Sequence, residues 1–478
     1  MTDTGLAGLP ATDLARRIRD REVSAAEVTD AALRRVEALD GRLHAFVELT
    51  ADLAREQARS VDAALAAGDD VGPLAGVPIA VKDLIATAGI PTRSGSPAYR
   101  DFVPDEDDIV VERVKAAGAV VLGKTTVPEF GYSGVGHNPI GETARNPWDP
   151  ALTPGGSSAG SGIAVATGMA PLALGSDGGG SVRIPAAHCG IYGFKASMGR
   201  VPLYPATRDE RYPGMSSWEG LEHIGPMTRT VADAALLMSV LAGPDPRDRH
   251  SLPAGDVDWD RAADGGIAGL RVAYSADLGY LAVDPEVREV TARAARVFAD
   301  DLGCTVEEAD PGWPDPAADF WAMVMNESDL RGMRAMAEQY GDQMSPHLVA
   351  LLAQPWSAEQ FTDAVVARKR VVNRMSRFMA GYDLLLTPTL AVPPFPVDVQ
   401  GPERIDGRMV APTAWLGFTS PLNMTGQPAA SVPAGTTATG LPIGLQIVGR
   451  HLADATVLRA SAAFEAAAPW ADRWPPTS

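Results

Sequence analysis

Lysine is rare in this 478-residue chain: only five of its 41 cationic residues are Lys, at positions 82, 115, 124, 195 and 369. A lysine amine can take up and release a proton, which a guanidinium does not do below about pH 12. Lys82 closes the apolar run Gly76-Val-Pro-Ile-Ala-Val-Lys82-Asp83. That is the end of a buried strand, where an ordinary lysine would snorkel out. Two Gly/Ser-rich loops follow, Thr153-Pro-Gly-Gly-Ser157-Ser158-Ala-Gly-Ser-Gly162 and Gly175-Ser-Asp-Gly-Gly-Gly-Ser181-Val-Arg183-Ile-Pro185. Consecutive glycines before a serine let the backbone turn its N–H groups inward around a substrate oxygen. A proton acceptor, hydroxyl nucleophiles and an N–H cradle are the parts of acyl transfer, although tight turns use the same residue types.

Three shorter motifs mislead. Gly118-Ala-Val-Val-Leu-Gly123-Lys124-Thr125 matches the phosphate-loop pattern GxxxxGK[ST]. Its middle is an apolar strand and not a loop, and Pro128 comes where the next helix should propagate. Gly156-Ser157-Ser158-Ala159-Gly160 matches the nucleophile elbow GxSxG with Ser158 as nucleophile. An elbow must leave a strand, and the preceding Asn146–Pro154 is a loop, which argues against an α/β-hydrolase. His188-Cys189 suggests a thiol nucleophile, but neighbours on a strand point apart and an apolar Cys reads as core.

The elements that must hold these loops alternate. Ile79–Val81, Ala119–Leu122, Pro171–Leu174, Leu270–Tyr274, Asp383–Leu386 and Ile443–Val448 read as buried strands. Helical patterns fill Asp108–Ala117, Ser158–Thr167, Pro285–Leu302, Phe361–Met379 and Ala453–Ala467. This predicts an α/β fold: one large domain whose mixed sheet is covered by helices on both faces. Ser24 and Glu27 form a capping-box pattern for a first helix, and a second runs from Leu53 to Ala67, so residues 1–70 read as a helical lead-in. Pro202–Glu222 and Pro388–Pro412 are long Pro/Gly-rich loops, either binding loops or plain surface connections.

Composition narrows the class. With 46% hydrophobic and 21% charged residues the chain is globular, and Gly 48 and Pro 39 stay below the roughly 25–30% of low-complexity chains. A net charge of −19 without a basic cluster argues against a nucleic-acid partner. Two cysteines, Cys189 and Cys304, exclude a disulfide scaffold. Neither a signal peptide nor a spanning apolar run is visible, which predicts a cytoplasmic enzyme with no membrane partner. The seven His are scattered without metal-ligand spacing, so no metal and no cofactor are expected.

The lysine after an apolar strand, the Gly-Gly-Ser-Ser loop and the later Gly-Gly-Ser together resemble the amidase signature family. The spacings fit it, with 75 residues from Lys82 to Ser157 and 24 more to Ser181. The likeness runs from about Gly76 to Arg229. It returns at Asp383–Pro388 and from Asn423-Met-Thr-Gly-Gln-Pro428 through Gly449, so the family domain would be 71–478. Two departures are Ala159 in place of glycine and Thr126 where the family often carries Asn.

The resemblance implies an amidase that cleaves a carboxylic amide, anilide or carbamate to acid plus amine through an acyl-enzyme. Carried over residue by residue, Ser181 becomes the nucleophile, Ser157 the bridging proton shuttle and Lys82 the general base. The family holds the bridging serine in a non-proline cis peptide. Keeping a lysine neutral near pH 7 costs about 4 kcal/mol from its ordinary pKa of about 10.4, which burial supplies. Gly178, Gly179, Gly180 and Ser181 would offer oxyanion N–H groups; Ser158, Asp177 and Arg183 would brace the loops. Gly131 and Tyr132 would lie beside substrate. The partner would be a small-molecule amide, with a homodimer left open. The alternative is the glutaminase component of a tRNA-dependent amidotransferase, which has the same triad; Pro202–His223 does not resemble that branch. A non-catalytic scaffold is disfavoured because all three triad residues are present.

Overall fold

A computed structural model describes residues 5–476 apart from 206–208, 213, 216 and 256. Eleven strands form one sheet: β1 Phe46–Leu49, β2 Pro78–Lys82, β3 Val120–Thr125, β4 Leu172–Ser176, β5 Tyr192–Lys195, β6 Ile224–Thr228, β7 Arg271–Tyr274, β8 Thr305–Glu308, β9 Leu384–Pro388, and a long hairpin described below. A separate ribbon pairs β10 Arg404–Ile405 with β11 Arg408–Met409. The hairpin is β12 Ala429–Thr436 with β13 Pro442–Gly449, and the sheet order is β1-β3-β2-β4-β6-β5-β12-β13-β9-β7-β8.

The sheet is mixed. β3, β2 and β4 run parallel, as do β9, β7 and β8, while the ladders between β4 and β9 are antiparallel. Side chains alternate between two apolar cores: Leu384 and Leu386 enter one, Leu385 the other. That period-two split is what a strand covered on both faces requires. Burying each such Leu or Val contributes about 1.5–3 kcal/mol.

All six expected strands and all five expected helices form, with ends shifted by up to three residues. The capping box at Ser24 is present: Glu27 N–H donates to Ser24 Oγ at 3.1 Å and Ser24 N–H to the Glu27 carboxylate at 2.8 Å. The sheet also holds β1, β5, β6, β8 and β12, which the apolar runs did not announce. β1 lies between the first two long helices and pairs with β3 at the sheet edge, so the N-terminal segment supplies a strand as well as helices. β5 and β6 carry Gly193, Gly225 and Pro226, residues poor in strand propensity that are held by pairing on both sides.

The parallel trio sets up the site. β2 ends at Lys82 and β4 at Ser176, and because β2 lies between β3 and β4 these carboxyl ends open on one edge. Crevices outside the carboxyl ends of parallel strands are where α/β folds bind ligands. The helix Ala159–Ala166 packs beneath, and Gly160 meets its neighbours closely: a Cβ there would collide with the Ala45 carbonyl oxygen. No helix among the described residues is long and apolar enough to cross a membrane.

Candidate active site

Lys82 is fully buried. Its Nζ donates to Ser157 Oγ at 2.8 Å, Ser176 Oγ at 2.8 Å and Ser176 O at 3.0 Å. Burial pulls its pKa down to about 8, against the carboxylates of Glu222 and Asp177, which hold it up. Among the described residues no carboxylate comes within ion-pairing distance of this amine, so a hydroxyl is its nearest charge-sensitive partner.

Ser157 follows a cis Gly156–Ser157 bond. Position 156 admits no side chain, because a Cβ would lie 2.6 Å from Val135 O. Ser158 ties the two Gly/Ser loops together. Its N–H donates to Ser181 O at 3.2 Å, and its hydroxyl donates to Ser176 O at 3.1 Å while accepting from Ser176 N–H at 3.3 Å. These bonds join the two loops, and no strand runs directly into Ser158 as an elbow requires. Ala159 is fully buried, and its methyl faces Gly136, so the extra carbon is accommodated. Thr126 donates to His44 O at 2.6 Å and so anchors the edge strand.

Ser181 is 9% exposed, and its hydroxyl makes no hydrogen bond among the described residues. Asp177 and Arg183 form a fully buried two-pronged pair, Nε to Oδ2 and Nη2 to Oδ1, both 2.9 Å. Burial pushes the Asp177 carboxyl up, but Arg183, Lys195 and Asn423 more than offset it and hold it below the usual carboxylate range. The arginine also reaches Asn423, Gln446 and the Thr419 carbonyl at 2.7, 2.7 and 3.1 Å.

Asp177 accepts from the N–H of Gly180 at 2.7 Å and of Val182 at 3.3 Å. This corrects one expectation. The Gly180 N–H points into the Asp177 carboxylate, leaving Gly178, Gly179 and Ser181 as donors without an acceptor among the described residues. Gly180 instead supplies the turn, at φ +126°.

Gly131 and Tyr132 both line a cleft of about 680 Å³, which Ser181 and Gly179 also border. A Cβ on Gly131 would come 3.1 Å from Ser157 Oγ. The Tyr132 hydroxyl bonds Ser328 at 2.6 Å, and its ring meets Trp218 edge-on at 4.9 Å. Trp218, Phe320, Trp321 and Trp356 give the cleft its aromatic walls. A second cavity of about 40 Å³ lies against Ser157, Ser176, Gly178 and Ser181, with Glu222 in its lining. Both long loops reach these spaces: Leu203, Met215 and Trp218 from the first, Gln400 and Pro412 from the second.

The decoys resolve physically. β3 runs straight through Gly123-Lys124-Thr125, and Lys124 is buried against the Ile85 carbonyl and Thr92. His188 stacks on Trp415, and burial pulls it down to about 4; burial pushes the Cys189 thiol up, away from thiolate. Sequence reasoning did not single out Ser176, Glu222, Trp218, Thr419 or Gln446. Asn423 was within reach, since it heads a segment that carried the family likeness.

Comparison with known proteins finds relatives over nearly the whole chain. A family model described as Amidase matches residues 27–458. The chain is 38% identical to an acylamidase of Rhodococcus erythropolis, covering 100% of this chain and 99% of that one. It is also 38% identical to a glutamyl-tRNA(Gln) amidotransferase component of Acidothermus cellulolyticus, covering 96% and 94%. Among solved structures, a bacterial aryl acylamidase of the amidase signature family superposes with a TM-score of 0.89 at 34% identity, covering 97% and 96%. A match over nearly the whole length, in sequence and in fold, leaves one assignment: the chain belongs to the amidase signature family, enzymes that hydrolyse C–N amide bonds.

Proposed function

We propose that this amidase works through Ser181 as nucleophile, Ser157 as proton shuttle and Lys82 as general base. The observation that carries the reading is the fully buried Lys82 amine, brought down to about 8 and bonded to Ser157 Oγ at 2.8 Å. Neutral Lys82 takes the Ser157 proton as Ser157 takes that of Ser181. Ser181 Oγ then bonds the amide carbon, and the carbonyl electron pair moves onto oxygen. The unpaired N–H groups of Gly178, Gly179 and Ser181 are suited to hold that oxyanion. As it collapses, the C–N bond breaks, Ser157 gives its proton to the nitrogen, and Lys82 restores it to Ser157. Water attacks the acyl-enzyme by the reverse route and releases the acid. Nothing in this proton path calls for a metal or cofactor. The reading takes the enzyme to be cytoplasmic, with a small amide as its partner and no nucleic acid.

The leaving group tests it. An amide nitrogen must be protonated before it departs, whereas the thiolate of an S-methyl thioester leaves unaided. General acid–base help is worth about 10²–10⁴-fold per transfer. Ser157→Ala should therefore slow amide cleavage at least tenfold more than cleavage of the thioester of the same acid. Ser181→Ala should abolish both, with the acyl-enzyme lost by mass spectrometry. Equal slowing of both substrates by Ser157→Ala would mean that Ser157 shapes the site without passing protons.

A second reading, the glutaminase component of an amidotransferase, draws on the Acidothermus relative. Turnover of a simple apolar amide by the chain alone would separate them, since the amidotransferase reading expects glutamine as substrate and partner chains for activity.

A further inference from the structure

The two cavities at Ser181 differ in size and in chemistry, and this orders the substrate. Ser181 borders both. Ser157 and Ser176 border only the small one. If Ser157 delivers the proton, the scissile nitrogen must point into the small cavity and the acyl group into the cleft. The cleft suits an apolar acyl group: Trp218, Phe320 and Trp321 lie ring against ring at 5.6–6.3 Å.

The small cavity holds about 40 Å³. Benzene occupies a cavity of about 150 Å³, so an aniline leaving group does not fit, whereas an NH₂ group does. Its walls are apolar at Leu203, Met215 and Ile224, and among the described residues one charged group lines it, Glu222, itself only 9% exposed. Glu222 packs against the oxyanion loop so closely that a Cβ on Gly178 would collide with its Oε2. An ionised carboxylate only accepts hydrogen bonds. A methyl or aryl substituent offers it no N–H in place of the one an unsubstituted nitrogen supplies.

We propose that Glu222 reads the leaving nitrogen, so that the enzyme prefers amides whose nitrogen is unsubstituted, releases ammonia, and takes the bulky apolar group on the acyl side. This rests on the reading of Ser157 and Ser181 above. The same carboxylate acts on Lys82, whose pKa it raises, so its field reaches the reacting atoms.

The test uses one acid, 3-phenylpropanoic acid, as its primary amide, N-methyl amide, anilide and S-methyl thioester. On the wild-type enzyme, kcat/KM for the primary amide should exceed that for the N-methyl amide by at least tenfold and the anilide by at least a hundredfold. Glu222→Gln should lower the amide-to-thioester ratio about tenfold. An anilide cleaved as fast as the primary amide overturns the proposal, and that arm needs no variant. An unchanged ratio in a folded Glu222→Gln enzyme overturns it too. Either result with Ser181→Ala inactive leaves the triad standing and removes only the pocket assignment; a Ser181→Ala enzyme that still turns over removes the triad itself.

Discussion

Two lysines on adjacent parallel strands make an instructive pair. Lys82 ends β2, Lys124 lies near the end of β3, and both are fully buried. Burial pulls each pKa down to about 8, and nearby carboxylates oppose it in both cases. What differs is what the amine touches. Lys124 donates to the Ile85 carbonyl and Thr92 and lies 4.0 Å from the buried Asp83, so it braces a turn. Lys82 donates to a serine hydroxyl that borders a cavity. A displaced pKa is thus no mark of a reactive group by itself; what sets Lys82 apart is its bond to a hydroxyl beside a cavity.

Substitutions can break or sharpen this contrast. The largest effect belongs to Lys82. Lys82→Ala and Lys82→Arg should each lower kcat about 10³–10⁴-fold, because neither side chain can accept the Ser157 proton. A Lys82→Arg enzyme with most of its activity would show that position 82 supplies only charge. The pH profile carries the same point: only the neutral amine is a base, so kcat/KM should rise with pH through a midpoint near 8. Removing the Glu222 charge should move that midpoint down, since Glu222 and Asp177 favour the ammonium.

Next comes Asp177→Asn, which leaves Arg183 buried without its counter-charge. A loss of about 3–5 kcal/mol in denaturant melts is expected, with slower turnover as the Gly180 turn loosens. For Lys124→Met the order reverses: stability should fall by a few kcal/mol as Asp83 loses its partner, while kcat stays within about tenfold and the pH midpoint stays put. A hundredfold loss of kcat in a folded Lys124→Met enzyme would erase the distinction drawn above. The smallest effect is Cys189→Ser, which should cost about 1–3 kcal/mol for a buried hydroxyl and leave turnover intact.

Much of this was legible in the residues themselves. Apolar runs such as Ile79–Val81 and Leu384–Leu386 announce buried strands because both faces of the sheet need cover, and Ser24 with Glu27 announces a helix start because both partners sit within one turn. Lys82, Ser157 and Ser181 stood out because each breaks a local rule: a cation ends an apolar strand, and serines follow runs of glycine in loops. Local rules had no purchase on β5 and β6, whose Gly193 and Pro226 become strand only through neighbours far along the chain.

Tertiary structure alone decided three matters. Gly180 turns its N–H to Asp177 because Arg183, Asn423 and Gln446, 263 residues apart at the extremes, hold that carboxylate in place. Glu222, inconspicuous in a charged loop, reaches the small cavity because His223 pairs with Asp177 through backbone bonds of 2.7 and 3.2 Å. The unequal volumes on either side of Ser181 arise from several distant segments closing on one point. Sequence determines which chemistry a side chain can perform and which elements form, because both depend on neighbours within a few residues. Which groups share a cavity, and how large it is, depends on contacts between distant segments, and those exist only in the folded chain.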